Sequence, residues 1–419
     1  MTPRCLPLLF AFALLPACSQ RPVDPPADSG SDSGLDSGAD EGTDASADAA
    51  HEANLEAGTD ALPEAAPDAS PDAVDAGPDV PDAPSDVTVA TDLFGPSPTS
   101  TLTGPSGSFR FGASVAITRD GTTLAIGDWY SGGSVHLFVR SGSAFPGTPA
   151  LTLRGPSGSS AFGTSVAFSQ DGNTLVVGDT NFHGSSNRGG VHLYARSGAT
   201  FSATPFQTVA EPFGGTTFTT NDFGSSVAFS PDGTVLVVGD YSYGSSALGG
   251  VHLFARSGST FATLPFQTLA GPAQSAKFGS SVAVSQDGST LVVGDRDFGS
   301  SQFGGVHVFA RSGAGFAPAP FQTLPLPPSS SEFGASVSIS QDGNTLVVGD
   351  WNYFYTVGGV HLYVRTGGAF AAAPAQTLTG PAGSRLFGYG VALSQDGSTL
   401  YVGDADFGHP GGAVHAFSR

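Results

Sequence analysis

The chain is 419 residues long, room for roughly two or three ordinary domains. Charged residues make up only 12%, about half the usual share, and 59 Gly with 31 Pro favour turn-rich all-β structure over helices. The net charge of −21 is concentrated in residues 19–93, which hold 19 acids and one base; residues 94–419 net only −4 and contain a single lysine, Lys277, so the clustered cations that nucleic acid requires are missing and no nucleic-acid partner is expected.

The first residues read as an address. Arg4 supplies a positive start, and residues 6–15 form an apolar run too short to span a bilayer core of ~30 Å. Leu15-Pro16-Ala17-Cys18 follows, which resembles a bacterial lipobox: a Leu and a small residue just before an invariant Cys. The chain has two cysteines, and Cys5 would leave with a 1–17 leader, so Cys18 has no disulfide partner. The resemblance implies lipidation of Cys18 and anchoring by several acyl chains, each buried CH₂ contributing about 0.8 kcal/mol. Ser19 after the Cys implies, by the same resemblance, sorting to the outer membrane, periplasmic or surface-facing. A secreted protein cut near residue 20 is the plainer alternative.

Residues 18–93 then read as a tether. The stretch is built from Ala, Asp, Pro, Ser and Gly without an aromatic residue, and Asp recurs at every fourth position from Asp24 to Asp48. On a helix that spacing would stack like charges on one face. Too little apolar surface is present to offset ordering entropy, so disorder is expected, with a random-coil span of roughly 50 Å. A divalent-cation sponge is the sharper but weaker reading of these carboxylates.

Residues 94–419 repeat one unit six times. Phe-Gly-x-Ser-Val-Ala-x-Ser-x-Asp-Gly-x-Thr-Leu-x-Val-Gly-Asp starts at Phe111, Phe162, Phe223, Phe278, Phe333 and Phe387. Each copy continues through Gly-Gly-Val-His-Leu-(Phe/Tyr)-x-Arg, and most through Phe-x-x-x-Pro-x-Gln-Thr-Leu. In the second copy, strands are expected at 162–169, 174–178, 191–196 and 206–209. Asp171-Gly172 makes the first hairpin, and the second strand is apolar at consecutive positions and so covered on both faces. Four short strands per repeat fit a β-propeller blade, which needs neighbours on both faces. The sixth copy stops after its third strand, while Thr101-Leu102-Thr103-Gly104-Pro105 upstream matches the fourth-strand segment Thr377-Leu378-Thr379-Gly380-Pro381. The expected fold is therefore all-β: a six-bladed propeller of four-stranded antiparallel blades, latched by an N-terminal strand.

The Phe-Gly start, the Ser-Val-Ala strand and the Val-Gly strand resemble FG-GAP repeats, the blades of the integrin α-subunit propeller, over about 320 residues. The sequence departs from that family in having six copies rather than seven. It also lacks the Asp-x-Asp-x-Asp-Gly calcium loop: Ser169-Gln170-Asp171-Gly172-Asn173 offers one carboxylate where Ca²⁺ takes six to eight oxygens. No metal or cofactor is therefore expected. Phe229-Ser230-Pro231-Asp232-Gly233 also resembles WD-repeat and related bacterial propellers.

Six histidines share one repeat position: His136, His192, His252, His307, His361 and His415. Facing sheets ~10 Å apart cannot bring them to one zinc, whose bonds are about 2.0 Å. A structural hydrogen bond is expected instead, with the Asp that ends strand two as a candidate partner. The Gly-rich turns lack the Lys and helix of a phosphate loop. No nucleophile–base pair breaks the symmetry, so no catalytic residue is expected.

The symmetry breaks in the loops between strands two and three. Phe182, Tyr243, Phe298, Tyr353 and Phe407 recur at one position, which points to blade-to-blade packing. The remaining aromatics, Trp129, Tyr130, Tyr241, Trp351, Phe354 and Tyr355, are the candidate ligand-binding set, and integrin resemblance places them on the ligand face. Exposed aromatics offer large contact area at low entropy cost. The expected function is non-catalytic binding of a protein or glycan on a lipid-anchored stalk, in adhesion or envelope recognition. A polysaccharide-acting propeller enzyme using Arg188, Arg296, Asp297, Asp406 or His409, and a structural scaffold for envelope assembly, are the alternatives.

Overall fold

A run such as Thr174–Asp179 can be a strand only if something covers both its faces, and all six of its residues are buried. The same holds for Thr123–Asp128, Val235–Asp240, Thr290–Asp295 and Thr345–Asp350. The cover comes from neighbouring blades. The computed structural model describes residues 93–183, 189–212, 222–244, 248–301, 303–355, 357–408 and 411–419. Cys18, the leader and the acidic stretch lie outside the described residues, as do Arg188 and His409.

Each repeat folds into one antiparallel sheet. In the second, Phe162–Phe168, Thr174–Asp179, Gly190–Ser197 and Gln207–Ala210 pair in order, with Val166 opposite Val177, Val177 opposite His192, and His192 opposite Thr208. Strand ends fall within two residues of the sequence expectation. The fourth strand is interrupted: Thr200–Phe201 also pairs with the third strand, and the Pro-containing segment after it bends away before pairing resumes. Six sheets result, and their first strands touch in a closed cycle. Six hydrophobic clusters fill the six junctions between blades. Among the described residues no helix is long and apolar enough to cross a membrane.

Two glycines of the repeat set how closely blades approach. The Gly of Phe-Gly has positive φ in all six copies, from 90° at Gly388 to 94° at Gly112. Its carbonyl faces the Gly of Val-Gly-Asp in the preceding blade, where any Cβ would overlap it; Gly178 against Gly224 and Gly403 against Gly112 are two of the six cases. A serine seals the same contact. Ser114, Ser165, Ser226, Ser281 and Ser336 each donate Oγ to that carbonyl of the next blade at 2.8–2.9 Å. The sixth copy has Gly390 here and lacks the bond.

The ring closes as the repeat pattern requires. Ser100–Thr103 pairs antiparallel with Gly411–Ser418, Ser100 opposite Ala416 and Thr103 opposite Ala413. The latch starts earlier, at Phe94, which is buried. Phe94 exchanges two hydrogen bonds with the Gln376 side chain, and Arg419 lies 5.1 Å over its ring. Phe370 with Gln322 and Arg365 repeats this arrangement inside the fifth blade's surroundings.

The histidines are structural. Nδ1 of each shares a hydrogen bond with a fourth-strand Thr at 2.9–3.1 Å, from Thr152 on His136 to Thr101 on His415. The strand-two Asp is not the hydrogen-bond partner: Nε2 of His192, His307, His361 and His415 stands 3.7–3.8 Å from it, beyond hydrogen-bond range. That Asp instead accepts the backbone N–H just before the Phe-Gly of its own repeat, as Asp179 does from Ala161 at 3.0 Å and Asp295 from Lys277 at 2.9 Å. It thereby pins the loop entering the first strand. The recurrent loop aromatics pack within their own blade rather than between blades. Phe182, Tyr243, Phe298, Tyr353 and Phe407 meet the His ring edge-on at 4.7–5.0 Å.

Candidate functional site

Two of the repeat positions that differ between copies meet at one place. One is x in Phe-Gly-x-Ser: Ala113, Thr164, Ser225, Ser280, Ala335 and Tyr389. All six line one cavity of about 320 Å³. Equivalent residues from six blades can share a cavity only on the ring axis, so this is one mouth of the central channel. The other variable position follows the strand-two Asp: Trp129, Thr180, Tyr241, Arg296, Trp351 and Ala405. Trp129, Thr180, Tyr241 and Arg296 line the same cavity, and the Trp351 ring lies 5.9 Å from that of Tyr389. The mouth is thus a ring of small first-strand residues rimmed on one side by aromatics and a guanidinium.

Three of the six sequence candidates meet here. Trp129 and Tyr241 are half-buried cavity walls, and Trp351 backs Tyr389 with its indole N–H buried and without a partner. Tyr130 reaches them only by an edge contact with the Trp129 ring at 6.1 Å, and Phe354 does not line the cavity. Tyr130, 51% exposed, leans on Phe109 at 5.4 Å over a separate groove beside Asp128 and His136. Phe354, 54% exposed, packs at a tilt against Tyr353 at 4.3 Å. Tyr355 belongs to the short 3-10 turn Tyr353–Tyr355, and its side chain lies outside the described set.

The rim is charged where blades three to five meet. The Tyr241 ring has Arg296 at 4.9 Å and Lys277 at 5.0 Å, both within cation–π range. Burial, then the adjacent Asp222 carboxylate and its hydrogen bond, push the Tyr241 hydroxyl's pKa well up. Asp222 also accepts from Ser242. Lys277 pairs with Asp297 at 3.7 Å. Arg296 does not pair: its Nε is buried without a hydrogen-bond partner, and no carboxylate among the described residues reaches it at ion-pair distance. Glu332 stands nearby with a buried, unpartnered Oε2. Burial pushes its pKa up to about 7 against the pull of Arg296. Asp406 pairs with Arg385 at 3.8 Å.

Tyr389, Asp222, Lys277 and Glu332 escaped the sequence reading, which looked only between strands two and three. Tyr389 left a signal: it is the one bulky residue at a position otherwise held by Ala, Ser or Thr. At the opposite end of the axis a cavity of about 150 Å³ is lined by Phe168, Val284, Ile339 and Leu393, and there Arg119 donates to Gln395 at 2.9 Å. The hairpin aspartates there are turn formers; Asp171 accepts from Ser169 at 2.6 Å and from the Asn173 backbone at 3.0 Å.

Fold and geometry define a six-bladed β-propeller with a polar and aromatic axial mouth. Compared with known proteins, the chain matches no family model and no curated protein.

Proposed function

We propose that the protein is a non-catalytic binding module that takes a glycan at this axial mouth, carried on a lipid-anchored stalk in a bacterial envelope. One observation carries the reading. The repeat varies in concert at the two positions that meet on the axis, and there it places Trp129, Tyr241, Arg296, Trp351 and Tyr389. Packing alone favours sameness in such a ring, and the Phe-Gly, Gly-Asp and His positions keep it in all six copies. Aromatic walls give a sugar ring a stacking surface, and the Ser and Thr hydroxyls of the floor give it polar contacts. The lipobox-like Cys18 and the acidic stretch after it supply the anchor and the spacer, and the FG-GAP-like repeat supports adhesion or envelope recognition as the setting.

Trp129 and Trp351 are the only tryptophans, so intrinsic fluorescence reports the mouth directly. Titrating the full chain with envelope polysaccharides and glycan fragments should give a saturable change that Trp129→Ala removes. Binding by calorimetry that leaves both tryptophans silent and survives Trp129→Ala would move the site elsewhere. Changing Cys18 to Ser should shift the protein from the membrane to the soluble fraction of the producing cell.

A second reading, a polysaccharide-acting enzyme, is favoured by Glu332 and Asp297, acids from non-equivalent positions near one guanidinium. New reducing ends formed by the wild type and not by Glu332→Gln would establish it.

A further inference from the structure

Arg296 is the unexplained group of the mouth. It follows Asp295, where the other copies carry Trp, Thr, Tyr, Trp or Ala, so nothing in the repeat requires a cation there. Its guanidinium lies over Tyr241 and lines the axial cavity. The nearest cation, Lys277, already has Asp297 at 3.7 Å, and Asp222 is engaged by Tyr241 and Ser242. Of the two cations at the mouth, Arg296 is the one without an ion pair or a partner for its Nε. A half-buried guanidinium keeps its charge, and leaving its donors unmatched away from water is costly. Glu332 makes no ion pair with it, and burial raises that carboxyl's pKa to about 7, so it is only partly ionised at neutral pH.

We propose that Arg296 is the anion receptor of the mouth and that the glycan it recognises is a carboxylate-bearing sugar, a hexuronate. This rests on the glycan-binding reading above. The planar fork of a guanidinium matches a carboxylate bidentately, and Tyr241 beneath it holds the plane in place. Trp129 and Tyr389 flank the same cavity and offer the pyranose a stacking wall. A volume of about 320 Å³ sits at the small end of ligand sites, which suits one terminal sugar residue more than the middle of a chain.

The test separates carboxylate from sugar. Digalacturonate and its methyl ester share a carbon skeleton and differ in charge. Each is titrated by calorimetry against the full chain at 0.15 M salt, where the acidic N-terminal stretch is screened beyond about 8 Å. The acid should bind about 10- to 100-fold more tightly than the ester, as a charge-assisted hydrogen bond at a half-buried site implies. Arg296→Gln should close most of that gap, and Arg296→Lys, which keeps the charge without the fork, should close part of it. Each variant is first shown to melt as the wild type does. Equal affinities for acid and ester, or undiminished preference for the acid in Arg296→Gln, overturn the proposal. Binding of neutral glycans alone would also overturn it while sparing the glycan reading. Failure of every glycan, with a protein ligand bound instead, would remove both.

Discussion

His252 is fully buried, edge-on to Tyr243 and bonded to Thr268, and burial pushes its pKa down to about 3. The unfolded chain protonates the same ring near pH 6.5. Its contribution is therefore complete above pH 6.5 and is lost as pH falls towards 3, at up to about 1.4 kcal/mol per pH unit. Glu332 has the opposite sign. Its carboxyl ionises above about 4.5 when unfolded and about 7 when folded, so it lowers stability as pH rises between those values. Urea unfolding at pH 4.5 and 7 should separate the two. The stability deficit of His252→Asn should shrink at the lower pH, whereas Glu332→Gln should gain on the wild type at the higher one. The hairpin aspartates do not interfere. Burial would raise the Asp171 pKa, but hydrogen bonds from Ser169 and Asn173 outweigh it and hold the group below 3.8, so its contribution fails only in stronger acid. At this scale the sequence was partly legible. The histidine position announced a structural group because it obeyed the repeat. Its partner did not, because a Thr across the sheet and an Asp along it are equally near in the pattern, and only the 3.7 Å gap decides.

The element with the most at stake is the latch. Its Thr-Leu-Thr-Gly-Pro was readable from the sequence, since the sixth copy lacked a fourth strand and the same words stood upstream. The Phe94 anchor was also written there: Phe94, Pro98, Thr101 and Leu102 keep the spacing of Phe261, Pro265, Thr268 and Leu269. With Ser100 in place of the Gln, the match was harder to see. Phe94→Ala empties a buried site and severs the packing of Arg419, and should cost about 3–5 kcal/mol in urea unfolding. Thr101→Val, which leaves the His415 ring without its bond, should cost about 1–3 kcal/mol. The junction between the sixth and first blades is the one without an inter-blade serine bond. Gly390→Ser would set a Cβ 3.1–3.2 Å from the Gly112 and Ala113 carbonyls and Ser114 Cα, so the crowding should offset the hydroxyl's bond and leave stability in urea unfolding within about 0.5 kcal/mol of the wild type. The interruption of the fourth strand was not legible, because Phe-x-x-x-Pro fixes where the chain turns but not that both flanks pair with the same strand.

At the scale of the whole molecule, six copies, ring closure and blade number were open to counting, because a solenoid or ring writes its geometry as a period. The axial mouth was not. Trp129, Tyr241 and Trp351 were singled out as departures from symmetry, yet so were Tyr130 and Phe354, which point elsewhere. Which departures converge depends on where the axis runs, and that is a property of six blades together. The latch has a further consequence for how the molecule is made. Thr101 must find His415, 314 residues later in the chain. Blades can form one after another as synthesis proceeds, but the strand made first waits, unpaired, until the sixth blade has emerged. A chain stopped short of residue 411 keeps an open sheet edge at each end of its arc, which makes an incomplete copy sticky and a ready target for proteolysis, so closure itself acts as a check that the whole chain was delivered.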